Sequence, residues 1–366
     1  MKIVQAELYG ITIPLKKPFA ISKYTFTHYF GYILRLTDED GVSGVGESLQ
    51  LESPWYSAES FEPAGIVLTR YLLPSILNQP CADQEELLHR MDWVQMNYQA
   101  KAAIETAVCD IMAKRANMPL YRYLGGENPL VEGGVSIGLS EDSALLEQIG
   151  AALSEGYKRI KVKIAPGHDE AVLDVVRGIY PKIALMADAN AAYTMSDFDH
   201  LCGLDRYGMI MIEQPLGNGD FIDHAALRKR MKTPICLDES VHSMNDAIIA
   251  AETRACSIIN IKPPRVGGPL HVKKMLGFLQ QRQIGAWIGG MMESGIGRLM
   301  NMACATLENI RYAGDIHPPQ DYLDFDIVDY PFKQKNGYLS LPQTPGFGAE
   351  VDWDTVKSIA ISTTIL

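Results

Sequence analysis

Five charged residues recur on a near-constant pitch. Lys163, Asp188, Glu213 and Asp238 stand 25 residues apart, and Lys262 follows 24 later. Each lies in a short apolar run: RIKVKI, IALMADAN, GMIMIEQP, TPICLDES and SIINIKPP. A strand, a loop and a helix together take about 25 residues, so the beat predicts one functional group per strand end around a closed β/α barrel. The three carboxylates follow apolar strand residues, where burial is expected. An unpaired buried carboxylate is costly, and three meeting at a barrel mouth also repel one another. A hard divalent cation relieves both problems, and Mg²⁺ suits an all-oxygen set of Asp188, Glu213 and Asp238. For any one of these residues alone, capping a helix or pairing with a lysine is the plainer role; the shared register of three favours a metal. Asn190 and Glu239, close beside ladder carboxylates, are then expected to orient the ligands.

Lys161 and Lys163 are two apart on a strand, so both side chains point to one face. Helices cover the outer face of a barrel strand, which leaves the interior end as the wet place for both charges. Crowded cations lower each other's pKa, which suits Lys163 as a base near neutral pH.

These residues need a scaffold, and the chain is long enough for two domains at 366 residues. A net charge of -11 argues against nucleic acid and anionic membranes as partners and leaves a small anionic substrate open. The start, MKIVQAELYGITIPL, lacks a secretory pattern, and no apolar run approaches the roughly 18 residues of a membrane span. Six scattered cysteines without a CxxC pair read as buried free thiols of a cytoplasmic protein.

Residues 1–125 predict an α+β domain. Its strands are Lys2–Ile13, Tyr29–Leu36 and VSGVGES, with PFAISKYTFTHY as a mobile loop between the first two. Helical patterns follow, the last at Tyr98–Ala116, where Ala102, Ala103, Thr106, Ala107 and Asp110 favour close packing. Residues 126–323 alternate strand and helix. Seven βα units are visible, and a final strand near Ile310–Ala313 would close the ring. Residues 324–366 have the mixed character of a segment returning to the first domain.

Six motifs in order carry a family resemblance: Lys161-Val162-Lys163, Asp188–Asn190 (DAN), Glu213–Pro215 (EQP), Leu237–Ser240 (LDES), NIKPPRVGG from Asn260 and GGMMESGIGR from Gly289. With them the chain resembles the enolase superfamily, in its muconate-lactonizing-enzyme-like group, nearest to the o-succinylbenzoate synthases and N-succinylamino acid racemases. The resemblance implies an α/β fold: a modified TIM barrel, (β/α)7β, with an N-terminal α+β capping domain. It also implies Mg²⁺ at Asp188, Glu213 and Asp238, with Mn²⁺ as a substitute. Lys163 becomes the base, Lys161 its electrostatic helper, and Lys262 the cation across the substrate. Two bases on opposite faces of one carbon permit racemisation of N-succinylamino acids. A base facing a cation permits dehydration of 2-succinyl-6-hydroxy-2,4-cyclohexadiene-1-carboxylate to 2-succinylbenzoate, a menaquinone precursor.

Arg265 matches an arginine associated with the subfamily that contains the racemases, and synthases there carry it too. A non-catalytic binding barrel is disfavoured because no base or ligand of the ladder is missing. Homo-oligomers are common in the group. Substrate contacts are expected from Ser136, whose plainer role is a buried hydroxyl, and from the turn bearing Met291, Met292, Glu293 and Ser294. Phe19, Tyr24, Phe26 and Trp55 belong to the loops that cover the barrel in this family, with interdomain packing as the alternative. His28, His242 and His317 lack metal-ligand spacing and are expected in surface or loop roles.

Overall fold

The computed structural model describes residues 1–366 except 22–23 and 139–140, and in the first hairpin the side chains of residues 19–24 also lie outside the described set. Three N-terminal strands, β1 (Ile3–Ile21), β2 (Tyr24–Asp38) and β3 (Ser43–Gln50), form an antiparallel meander. In the stretch expected as a mobile loop, the described residues up to Ile21 and from Tyr24 instead extend the hairpin. Phe19 pairs with Phe26 and Ala20 with Thr25, beyond a register shift between Pro14 and Phe19. Tyr24, Phe26 and Tyr29 are strand-forming residues, and their propensity outweighs the polar residues among them.

Helix α1 (Tyr98–Arg115) lies across this sheet. Its small residues serve a close approach: a Cβ on Gly44 would sit 2.1 Å from the Ala107 carbonyl oxygen, and one on Gly46 1.9 Å from that of Ala103. Asp110 accepts from the Val45 N–H at 3.1 Å and pins the helix to the sheet.

Seven parallel strands follow in chain order: β4 (Val135–Ile137), β5 (Arg159–Lys163), β6 (Ala184–Asp188), β7 (Met211–Glu213), β8 (Ile235–Leu237), β9 (Ile258–Ile261) and β10 (Gly285–Ile288). Their outward side chains, among them Ile160, Val162, Leu185 and Ile212, join the main core with the surrounding helices. Inside the ring, Met186, Met211, Cys236, Ile258 and Trp287 form an apolar plug. The ladder residues lie at the mouth, while Arg159, at the start of β5, reaches the plug and lies over Trp287 at 5.1 Å. The segment 310–314 completes the modified TIM barrel through bridges rather than a regular strand: Ile310 pairs with Ala286, and Gly314 with Gly133 just before β4. The last strand, β11 (Ala360–Ile365), pairs antiparallel with β1, so the chain ends on the N-terminal sheet. All six cysteines are free, and only Cys202 is partly exposed. Among the described residues no helix is long and apolar enough to cross a membrane.

Candidate active site

The 25-residue beat is the strand register. Lys163 pairs with Asp188, and Asp188 with Glu213, at the ends of adjacent strands. Asp238 and Lys262 directly follow the last residues of β8 and β9. Over this mouth lies a cavity of about 560 Å³, partly open to solvent and lined on its upper side by capping-domain residues that include Phe26, Leu49 and Tyr56. Lys161, Lys163, Asp188, Asn190, Asp238 and Lys262 line it, as do Ser136, Met291 and Met292. Glu213 is fully buried behind them.

The side chains form one charge network. Lys163 Nζ donates to Asp188 Oδ2 at 2.7 Å and to Asn190 Oδ1 at 2.6 Å. Asn190 in turn donates to Glu239 Oε1 at 2.9 Å. Lys161 Nζ lies 3.0 Å from Glu213 Oε2 and 3.3 Å from Asp188 Oδ2, and it also bonds Asp315. Lys262 Nζ donates to Asp238 Oδ2 at 2.9 Å, and Arg265 Nη2 to Asp238 Oδ1 at 2.6 Å. Backbone strain accompanies the site. Asn190, Ala191 and Gln214 hold φ of 44°, 58° and 37°, a region side-chain-bearing residues seldom adopt. Gln214 answers this by accepting from the Asp238 and Ser240 N–H groups at 3.0 and 3.2 Å, which ties β7 to β8.

Burial disfavours every charge here, and the neighbours decide which survive. Asp238 is held well below the usual carboxylate range, because Arg265 and Lys262 overcome its burial. Asp188 is lowered against its burial by Lys163 and Lys161. Glu213 goes the other way, pushed up to about 8 by burial and by Asp188. Lys161 corrects the expectation that paired lysines depress each other. Burial does oppose its charge, but Asp315, Glu213 and Asp188 surround it and raise its pKa well above normal.

Other expectations are also corrected. Glu293 and Ser294 do not line the cavity. Glu293 is fully buried, accepting from Arg298 at 2.8 Å, Asn301 at 2.7 Å and the Met291 N–H at 2.7 Å. Ser294 bonds Glu47 on β3 and caps helix α2 (Gly295–Cys304). Both are consumed in holding the turn that presents Met291 and Met292. Arg265 sits behind Asp238, away from the cavity wall. Trp55 packs between Phe26 and Tyr56 with ring centroids 5.1 and 5.9 Å away, one layer back from the cavity. The Phe19 and Tyr24 side chains lie outside the described residues. His28 and His317 do line the cavity, and burial and Arg298 lower His317 to about 4, so it is neutral. Sequence reasoning missed Tyr56, one residue beyond Trp55, and Asp315, which directly follows the ring-closing segment and lies off the 25-residue beat.

Among the described residues no three His, Cys, Asp or Glu side chains stand together as a formed metal-ligand set, since lysine ammonium groups occupy the gaps. The donors nonetheless fit a hard cation. They are all oxygen, neighbouring cations favour the charged forms of Asp188 and Asp238, and burial with the charge of Asp188 raises the pKa of Glu213, a cost that a bound cation would offset. Glu239 Oε2 and Asn260 Oδ1, beside them, are buried oxygens without a hydrogen-bond partner among the described residues.

Two family profiles cover most of the chain: "Enolase C-terminal domain-like" over residues 144–355, and "Mandelate racemase / muconate lactonizing enzyme, N-terminal domain" over residues 5–125. The chain belongs to the enolase superfamily. Within this superfamily it is 43% identical over 343 residues to an o-succinylbenzoate synthase of Geobacillus stearothermophilus, covering 93% of this chain and 92% of that one. It is 36% identical over 364 residues to an N-succinylamino acid racemase of Thermus thermophilus, covering 99% and 98%. A solved enolase-superfamily protein of Listeria innocua matches with a TM-score of 0.96 at 37% identity, over 100% of this chain and 99% of that chain.

Proposed function

We propose that the protein is an o-succinylbenzoate synthase, a hydro-lyase that converts 2-succinyl-6-hydroxy-2,4-cyclohexadiene-1-carboxylate to 2-succinylbenzoate in menaquinone biosynthesis. The observation that carries this reading is the placement of Lys163 and Lys262 on different strand ends over one cavity, with Asp188 and Asp238 beside them. The name of the Geobacillus relative points the same way. In this reading Lys163 removes the proton alpha to the substrate carboxylate. Lys262 lends its positive charge from the other side of the forming ring. Lys163, now protonated, gives its proton to the departing hydroxyl, and water leaves as the ring becomes aromatic. Asn190 fixes the Lys163 amine, and the capping residues exclude water. When bound, Mg²⁺, held by Asp188, Glu213 and Asp238 with Mn²⁺ as a substitute, supplies positive charge against the negative charge that builds on the substrate carboxylate. The same reading takes residues 1–125 as the cap, and makes the protein a cytoplasmic homo-oligomer acting on a small carboxylate.

N-succinylamino acid racemisation is the second reading, because both lysines are retained and the Thermus relative bears that name. Comparing kcat/KM for the cyclohexadiene carboxylate and for N-succinylamino acids, with and without Mg²⁺, separates the two. We expect efficient dehydration that disappears without the ion. Efficient racemisation with negligible dehydration would overturn the first reading.

A further inference from the structure

Lys262 is held from two sides. On the barrel side is Asp238. On the capping side the Tyr56 hydroxyl accepts from Nζ at 3.0 Å, with its ring centroid 5.6 Å from the ammonium. A hydroxyl both accepts and donates, so this contact persists whether the lysine carries its extra proton or has given it up. Lys163 differs: among the described residues its hydrogen-bond partners, Asp188 and Asn190, are both barrel residues. Among the described residues the capping domain therefore grips Lys262 through Tyr56.

The grip is itself anchored. Asn97 stands at the N-cap position just before helix α1; its φ of 53° is left-handed and its side chain makes no capping bond to the helix. Glu59, three residues after Tyr56, takes over that role. Its carboxylate accepts from the Gln99 N–H at 3.0 and 3.1 Å and from the Ala100 N–H at 3.2 Å. Ser57 accepts from Gln99 Nε2 at 3.2 Å. A carboxylate on first-turn N–H groups gains from both the bonds and the helix dipole. The segment that carries Tyr56 is thus fastened to the longest helix of the cap.

We propose that Tyr56, anchored through Glu59 to the start of α1, is a positioning residue that aligns Lys262, so that this segment of the capping domain sets the geometry on the Lys262 face of the substrate carbon. The inference rests on the reading above, in which the two lysines address opposite faces.

The test follows exchange of the alpha proton of N-succinyl-L- and N-succinyl-D-amino acids in D₂O with the full-length, Mg²⁺-loaded protein. In each case the Cα–H bond breaks, a lysine takes the proton, and a solvent deuteron returns to the carbon. Lys163→Ala and Lys262→Ala first assign one lysine to each enantiomer. If both enantiomers depend on the same lysine, or the wild type exchanges neither, the two-face reading falls and this proposal with it. With the assignment made, Tyr56→Phe is expected to lower kcat for the Lys262-served enantiomer about ten- to a hundred-fold relative to the other, since it removes one hydrogen bond to a charged group. Glu59→Gln keeps the Tyr56 hydroxyl and is expected to give the same asymmetry more weakly. Equal slowing of both enantiomers, no slowing, or a change confined to KM overturns the proposal.

Discussion

Glu47 offers a quantitative check on how the cap is fastened to the barrel. It lies 2% exposed on β3 and reaches the first turn of α2. Its carboxyl accepts from the Ser294 N–H at 3.1 Å, the Gly297 N–H at 2.9 Å and the Ser294 hydroxyl. Burial raises its pKa from 4.5 to about 7, against those donors. Below pH 4.5 the folded and unfolded chains both hold the proton. Between 4.5 and 7 the folded chain keeps a proton that the unfolded chain releases, so this group's contribution to stability falls as pH rises. Above 7 the full cost is present, about 3 kcal/mol at 1.36 kcal/mol per pH unit. Glu47→Gln cannot titrate. Urea unfolding followed by tryptophan fluorescence at pH 4.5 and pH 8 should show the wild type losing about 3 kcal/mol relative to the variant. Asp238 and Asp315, whose pKa values are depressed, cancel in that difference. A wild-type-minus-variant difference that stays flat within about 1 kcal/mol would refute the burial argument.

Asp315 joins Lys161 to Arg159, with Arg159 Nη2 at 2.6 Å from Oδ1. Asp315→Ala leaves two buried cations without their shared partner, and urea unfolding should report a loss of about 3–5 kcal/mol, whereas Asp315→Asn should lose less. Lys163→Ala should lower the dehydration rate by roughly 10²–10⁴-fold while circular dichroism stays native, and dehydration at the wild-type rate would sink its assignment as the base.

The ladder could be read from sequence because parallel strands translate adjacency in space into a fixed spacing in the chain. Lys163, Asp188 and Glu213 are neighbours for the same reason that they are 25 residues apart. Binary pattern and small-residue clustering likewise disclosed the barrel units and the tight seat of α1. Where reading failed, the deciding partner lay far along the chain. Ser294 looked like a free hydroxyl among glycines, yet its partner Glu47 is 247 residues away on another domain. Glu293 looked like a ligand contact until Arg298 and Asn301, one and two helical turns on, absorbed its oxygens. Gly297 marks the same closeness: a Cβ there would lie 2.8 Å from Glu293 Cβ and 3.1 Å from Glu47 Cδ. That glycine was visible in the sequence within the motif GGMMESGIGR, which does not disclose its role. Its service is to let two buried carboxylates pass on either side of one helix start, which no periodicity encodes. The same holds for Tyr56 and Trp55. Adjacent aromatic residues in a loop have equal claims on a cavity, and it is Tyr56, bonded to Lys262, that lines it. A residue's chemistry can thus be predicted when its strand places it; a loop residue's chemistry waits on the partner that turns it.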